Sequence, residues 1–190
     1  MKFKKIIFLQ LLMSCFLPSV DAQSVQEFLR AGDKRLEGKD YDGAIINYDL
    51  AAAIYILAAD SAKKAGLPPS SLKEYLNFTQ VFYNRGLAKS YLKEYKSAID
   101  DYTNAIKLKP SHANAFFNRA QAEFNLHDYQ AALDDFNKYI AMNPGNASSY
   151  FSRGVVKIRM GDVEAGCADL KKASTEGYAV PADFSLRYCK

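Results

Sequence analysis

Two stretches of this sequence match each other at a spacing of 34 residues. The first runs from Asn84 to Pro110 and reads NRGLAKSYLKEYKSAIDDYTNAIKLKP; the second runs from Asn118 to Pro144 and reads NRAQAEFNLHDYQAALDDFNKYIAMNP. A weaker third copy begins at Ser152. A fixed period of this length is typical of arrays of paired helices. The sequence therefore predicts an all-α fold.

The residue types of the repeat explain this period. Each pair of helices, A and B, has an apolar stripe that it cannot bury alone, so successive pairs must stack. Proline follows helix B because it lacks an amide hydrogen and disfavours helix in the residue before it. Small residues recur where the two helices of a pair must approach closely: Gly86, Ala120 and Gly154 on helix A, and Ala98, Ala132 and Gly166 on helix B.

An earlier copy of the repeat contains Gly32 and Tyr41, and 20 extra residues separate it from the next copy. Its helix B has no proline stop, so we expect this helix to continue to about Ala65. A capping box of Ser71 and Glu74 would then start the next helix A early. The extra residues are thus predicted to form a protruding helical hairpin, with a long disordered insertion as the alternative.

This pattern of small, aromatic and proline positions resembles the tetratricopeptide repeat family, from about Val25 to Tyr178. The resemblance implies a right-handed solenoid of about four helix pairs, at about 25–65, 70–110, 113–144 and 147–178. A capping helix at 181–190 would close it. The family's usual function implies a protein or peptide partner.

The first 22 residues are typical of a secretory signal peptide. Three lysines precede an apolar stretch from Ile6 to Leu17, and cleavage is expected after Ala22, which leaves a domain at 23–190. An uncleaved anchor and lipidation at Cys15 are the alternatives. The chain looks like exported proteins of the Bacteroidota, so we expect a periplasmic, outer-membrane-associated or secreted protein of a Gram-negative bacterium. Asp60-Ser61-Ala62 resembles an O-glycosylation motif used there.

Export would determine the oxidation state of the two cysteines that the mature chain would keep, Cys167 and Cys189. In an oxidising compartment they are expected to form one disulfide. Two independent buried thiols are the alternative.

Charge and motifs exclude several classes of function. Residues 23–190 hold 22 basic and 20 acidic side chains, so we expect no nucleic-acid partner. No membrane span is expected after signal cleavage. His112 and His127 have no Cys, His or carboxylate at metal-ligand spacing, and no catalytic motif is present. The sequence predicts a protein that is not an enzyme and that has no metal or cofactor.

Charged residues recur at two positions of the repeat. They are Arg85, Arg119 and Arg153 on helix A, and Asp101, Asp135 and Asp169 on helix B. The first copy has Ala31 and Asn47 at these positions, so both charges are lost together. We therefore predict an ion pair within each repeat, because a half-buried charge needs a partner. An anion-binding row of arginines is the alternative.

The resemblance also implies a concave groove formed by helix A residues. Carried onto this sequence, the groove comprises Leu29, Tyr83, Asn84, Leu87, Phe117, Asn118, Gln121, Phe151, Ser152 and Val155. Apolar rings beside amide side chains suit an extended polypeptide held partly through its main chain. Packing of the aromatic residues between successive A helices is the alternative.

Relatives that bind acidic chaperone tails use lysine and arginine in the groove. An acidic tail is not the expected ligand, because the corresponding positions here hold Tyr83, Asn84, Asn114, Phe117, Asn118, Ser148 and Ser152. A second hypothesis is a structural subunit of a cell-envelope assembly that uses its convex face or the hairpin. The oligomeric state and the partner's identity are not predicted.

Overall fold

The computed structural model describes residues 22–66 and 78–189, and every regular element in these ranges is an α-helix. The helices are α1 (Ala22–Glu37), α2 (Tyr41–Lys64), α3 (Phe78–Tyr91), α4 (Tyr95–Leu108), α5 (Ala113–Asn125), α6 (Tyr129–Met142), α7 (Ala147–Arg159), α8 (Val163–Thr175) and α9 (Ala182–Tyr188). The predicted all-α fold is confirmed. The chain divides into two compact units, Met1–Ala88 and Lys89–Lys190, with the boundary inside α3.

In the first unit, α1 packs against α2 around a fully buried tyrosine. Tyr48 lies so close to Gly32 that a Cβ atom on the glycine would meet the Tyr48 Cε1 atom at 2.5 Å. Two turns further along the same face of α2, the Tyr55 ring contacts the rings of Phe78 and Phe82, with centroids 4.7 and 5.5 Å apart. Aromatic residues therefore join the helices of this unit through α2.

Helix α2 has 24 residues and continues to Lys64. The expected early start of the following helix, with Ser71 and Glu74, lies outside the described residues, as do the signal segment and Cys15. By length and composition α2 could cross a membrane, with a mean hydropathy of 1.3 over its most apolar 18 residues. A helix packed into a core meets the same criterion, and Tyr48, Ala51 and Ala58 are buried.

In the second unit, α5 packs on α6 and α7 on α8, and the successive pairs pack on each other. The small residues lie at the closest approach. A Cβ atom on Gly166 would meet the Gly154 carbonyl oxygen at 2.8 Å and the Ile158 Cγ1 atom at 2.5 Å. Neither helix could carry a larger side chain there without moving away from the other.

The last helix is held by a covalent bond and by aromatic contacts. A disulfide joins Cys167 on α8 to Cys189, which follows α9. Phe184 on α9 contacts the Phe151 ring at 6.1 Å and the Tyr188 ring at 4.8 Å. This short helix therefore covers part of the end of the second unit.

The turn between helices A and B has one backbone form in all four pairs. Its first residue has a positive φ, at Lys39 (61°), Lys93 (63°), His127 (64°) and Gly161 (92°). Its second residue precedes helix B. At three of these second positions an aspartate, Asp40, Asp128 or Asp162, accepts a hydrogen bond from a backbone amide of the first turn, whereas Glu94 makes no such bond.

We predict that Glu94→Asp stabilises the protein by about 0.5–1 kcal/mol, because the shorter carboxylate can accept the free amide of the first turn of α4. Urea unfolding measures this change. The matched control is Asp128→Glu, which should lose a similar amount. If Asp128→Glu is destabilised while Glu94→Asp is unchanged, a capping bond at the start of α4 does not add to the stability of the protein.

Candidate functional site

An open cleft lies in the second unit between α5, α6 and α7. It has a volume of about 380 Å³. Its lining combines apolar side chains with uncharged polar ones: Phe124, Phe136, Phe151 and Val155 with Gln121, Asn125 and Ser152. None of these seven side chains is charged.

Four of the predicted groove residues, Gln121, Phe151, Ser152 and Val155, line this cleft. Phe124 and Asn125 were not predicted as groove residues. Their spacing offers a signal, because they follow Gln121 by three and four residues and so share its helix face. Phe136 also lines the cleft, although the repeat pattern assigns it to packing.

The chemistry of the cleft suits a polypeptide more than a reaction. Gln121 is exposed, and no hydrogen bond of its amide group is seen within the described part of the chain. The Asn125 side chain donates to the Gln121 carbonyl oxygen at 2.7 Å, which fixes its orientation. An amide or hydroxyl group can bond to a peptide main chain while the rings contact an apolar side chain.

Two predicted groove aromatics are occupied by packing. The Phe117 ring contacts the Phe136 and Tyr139 rings on α6, with centroids 5.5 and 4.9 Å apart. The Phe151 ring stacks on Tyr178 at 4.7 Å while still lining the cleft. Phe117 therefore packs on helix B of its own repeat, which is not the predicted packing between successive A helices, and Phe151 both packs and lines the cleft. Asn118 is half-buried and has contacts of its own.

One predicted groove residue of the first unit, Asn84, belongs to a partly buried polar cluster. Asn84 donates a hydrogen bond to Asp33 at 2.7 Å and accepts one from Gln80 at 2.6 Å. Tyr48 donates to the same Asp33 oxygen at 2.8 Å. Burial, followed by this hydrogen bond, raises the pKa of Tyr48. Asn84 thus joins α3 to α1, and its amide group is committed to the fold.

The remaining groove residues of this unit differ in burial. Leu29 is buried, whereas Tyr83 and Leu87 are half-buried. Tyr83 has contacts within the protein.

Two of the predicted arginine–aspartate pairs are brought together by the second unit. Arg119 donates to both oxygens of Asp135 at 2.6 and 3.0 Å, and Arg153 donates to both oxygens of Asp169 at 2.8 and 2.7 Å. Each guanidinium also donates to the preceding B helix, Arg119 to Thr103 at 2.8 Å and Arg153 to Asn137 at 2.9 Å. These arginines therefore link one repeat to the next.

The third predicted pair, Arg85 with Asp101, joins residues of different units and stays a prediction. Within the first unit, Arg85 donates to Asp49 at 2.7 Å. Within the second, Asp101 accepts from Lys89 at 2.8 Å.

A buried glutamate departs from the pattern of the repeat. Glu123 occupies the position of Lys89 and Lys157, each of which forms an ion pair with the aspartate of its repeat at 2.8 Å. Burial, and then the charge of Asp135, raises the pKa of Glu123 to about 7. Its Oε2 atom is buried and accepts no hydrogen bond in the described part of the protein. The ionised carboxylate therefore weakens this part of the fold.

Histidines and metal ligands do not form a reactive centre in residues 22–66 and 78–189. His112 is the N-cap of α5, where its Nδ1 atom accepts from the Ala115 amide at 3.3 Å. Burial lowers the pKa of His112, which favours the neutral ring that this bond requires. No group of three or more potential metal-ligating side chains is found in these ranges.

We predict that Arg119→Met lowers the free energy of unfolding by about 3 kcal/mol, because it leaves the buried Asp135 with Lys138 as its remaining cation. The double variant Arg119→Met/Asp135→Leu should recover at least half of this loss, because both charges are removed. Urea unfolding measures both variants. Equal losses in the single and double variants would contradict a stabilising role for the pair.

We predict that the wild-type protein loses on the order of 1–3 kcal/mol of stability as the pH rises through the window between the pKa of Glu123 in the unfolded chain and its folded value of about 7. The folded state binds the proton more tightly than the unfolded chain, so stability is highest below this window. Glu123→Gln should remove that loss.

The groups facing Glu123 are Arg119 on its own helix, Asp128 before α6, and Asp135 and Lys138 on α6. Unfolding experiments across the pH window, on the wild type and on Glu123→Gln, separate Glu123 from these groups. Lys157→Glu is the converse control, because it places a glutamate at the corresponding position of α7. It should add a similar loss of stability with rising pH. Identical slopes for wild type and Glu123→Gln would show that another group causes the effect.

The described helices resemble solved structures of repeat proteins. MamA from Desulfovibrio magneticus RS-1 superposes with a TM-score of 0.65 at 18% identity, covering 81% of this chain and 76% of that chain. The first TPR of Spaghetti (RPAP3), bound to the HSP90 peptide SRMEEVD, gives a TM-score of 0.54 at 25% identity, covering 57% of this chain and 87% of that chain. The Arabidopsis OM64 TPR domain gives 0.51 at 28% identity, covering 52% and 82%.

No curated protein matches the sequence significantly. The tetratricopeptide repeat family model matches residues 83–147, which include all of α4, α5 and α6, the larger part of α3 and the first residue of α7. Residues 83–147 therefore carry tetratricopeptide repeats, and the chain has the all-α fold of the tetratricopeptide type.

Proposed function

We propose that this protein is a non-enzymatic adaptor that binds an extended segment of another polypeptide in the cleft between α5, α6 and α7. The observation that carries this proposal is the cleft itself, where Gln121, Ser152 and Val155 are accessible beside three phenylalanine rings. Tetratricopeptide folds of known structure support it, because one of them is bound to a peptide.

The lining of the cleft also indicates what kind of segment it takes. The Spaghetti domain binds a peptide with two adjacent glutamates before its terminal Val-Asp. Seven uncharged side chains line the cleft of this protein. A carboxylate placed among them would lose hydration without gaining a cation. The bound segment therefore places an uncharged, apolar side chain against the rings, while its main chain bonds to Gln121 and Ser152.

The cellular compartment is part of the proposal. A protein exported to the envelope of a Gram-negative bacterium would meet its partner in the periplasm, at the outer membrane or outside the cell. The disulfide between Cys167 and Cys189 supports this location, because structural disulfides persist in oxidising compartments.

The test is affinity capture from producing cells, with crosslinking in the cells before lysis. The cleft variant is Gln121→Ala/Val155→Asp, and the matched control is Gln130→Ala/Val163→Asp, at exposed positions away from the cleft. We expect the cleft variant to recover at least about tenfold less partner than the wild type. The Gln121 substitution removes an amide, and the Val155 substitution adds a charge to the apolar wall. The control should recover as much partner as the wild type.

Thermal melts of both variants show whether they remain folded. Undiminished recovery of the same partner by a folded cleft variant would place the contact elsewhere and overturn the proposal.

A further inference from the structure

Helix α2 carries an apolar stripe that faces solvent. Ile46, Leu50, Ala53 and Leu57 follow one another at intervals of four, three and four residues, so they lie on one face of the helix. The three large side chains are well exposed: Ile46 to 61%, Leu50 to 46% and Leu57 to 54%. We call these four residues the α2 face. Burial of one such side chain stabilises by roughly 1.5–3 kcal/mol, so a face of this kind marks a contact surface.

The chain's other repeats provide an internal comparison. Tyr41, Tyr95, Tyr129 and Val163 start the four B helices at the same repeat position. Ile46, Leu50 and Ala53 therefore correspond to Asp100, Asn104 and Lys107 in α4, to Asp134, Lys138 and Ala141 in α6, and to Ala168, Lys172 and Thr175 in α8. These nine residues are polar or alanine, and all but Asn104 are exposed. The repeat itself does not require apolar residues here.

Charges at the two ends of α2 indicate the occupant. Exposed Asp42 lies in its first turn, and exposed Lys63 and Lys64 lie in its last. A partner helix that runs antiparallel should therefore begin with an acid and end with a base, with an apolar stripe between them. Helix α2 has this arrangement itself. We propose that the α2 face pairs with the α2 face of a second copy of this chain, in antiparallel orientation.

The spacing of the α2 face fixes the register of this pair. A two-fold axis between Leu50 and Ala53 places Ile46 opposite Leu57 of the second copy, and Leu50 opposite Ala53 of the second copy. The small Ala53 side chain lets the two helices approach closely. Lys64 then comes within one helical turn of Asp42 of the second copy, where the opposite charges attract each other.

The charge of α2 favours a second copy over a membrane surface. Three aspartates, Asp42, Asp49 and Asp60, face two lysines in this helix. Helices that lie on membranes are rich in lysine and arginine on their polar side. Asp49 is paired with Arg85, and the remaining Asp42 and Asp60 balance the two lysines, so α2 has no excess of positive charge that would attract anionic lipids.

The test is sedimentation equilibrium of the protein as purified from its producing cells, from micromolar to submillimolar concentration. We expect a monomer–dimer equilibrium. Ile46→Lys and Leu57→Glu should each raise the dissociation constant about tenfold or more, because each sets a charge against an apolar residue twice per dimer. Met142→Glu, at a 43% exposed position of α6, is the control and should dimerise like the wild type.

Mixing the two variants tests the register. In the heterodimer, Lys at position 46 of one chain meets Glu at position 57 of the other, and the second contact is the native one. The mixture should therefore dimerise when neither variant does alone. A monomeric wild type, variants that dimerise normally, or a mixture that stays monomeric would each overturn the proposal.

Flotation with vesicles of phosphatidylcholine and phosphatidylglycerol tests the alternative that a membrane, and not a second copy, covers the α2 face. A wild type that is monomeric and floats, and a Leu57→Glu variant that does not float, would assign the α2 face to a membrane and overturn the pairing. The α2 face and the cleft lie in different units, so the dimer measurement and the partner capture succeed or fail independently.

Discussion

In the first and the last helix pair, the two helices approach so closely at one point that a methyl group there would clash with the partner helix. Gly32 under the Tyr48 ring, and Gly154 against Gly166, have this environment. Because the helices are this close, aromatic residues beside the contact are excluded from water, and Tyr48, Tyr102 and Phe136 are fully buried. The hydrophobic stabilisation of each pair therefore depends on residues that have almost no side chain.

Close packing also decides the role of the charged residues. Burial of Asp135 and Asp169 would cost several kcal/mol without partners, roughly as for other buried ions. Arg119 and Arg153 offset this cost by bidentate bonds, and their remaining donors reach the preceding helix at Thr103 and Asn137. Each guanidinium thus bonds to helix B of its own repeat and to helix B of the preceding repeat. These arginines therefore stabilise the packing of successive helix pairs.

Departures from the repeat locate the features that the fold does not require. Glu94 lacks the capping bond that Asp128 makes, and Glu123 sets an acid where two other repeats have a lysine. Ile46, at an exposed position that is polar or alanine in the other repeats, belongs to the same class. Comparison within one chain separates such residues from those that every helix pair needs, because all copies share one packing geometry.

The sequence by itself determined the period, the small residues at the helix contacts and the all-α fold, because these depend on local geometry that each repeat carries. It also predicted four of the seven residues lining the cleft. Only the tertiary structure decided which groove residues are accessible: Phe117 packs on α6, whereas Phe151, at the same repeat position, lines the cleft and stacks on Tyr178. A repeat position fixes the direction of a side chain from its own helix, but the neighbouring element that meets it differs along the chain.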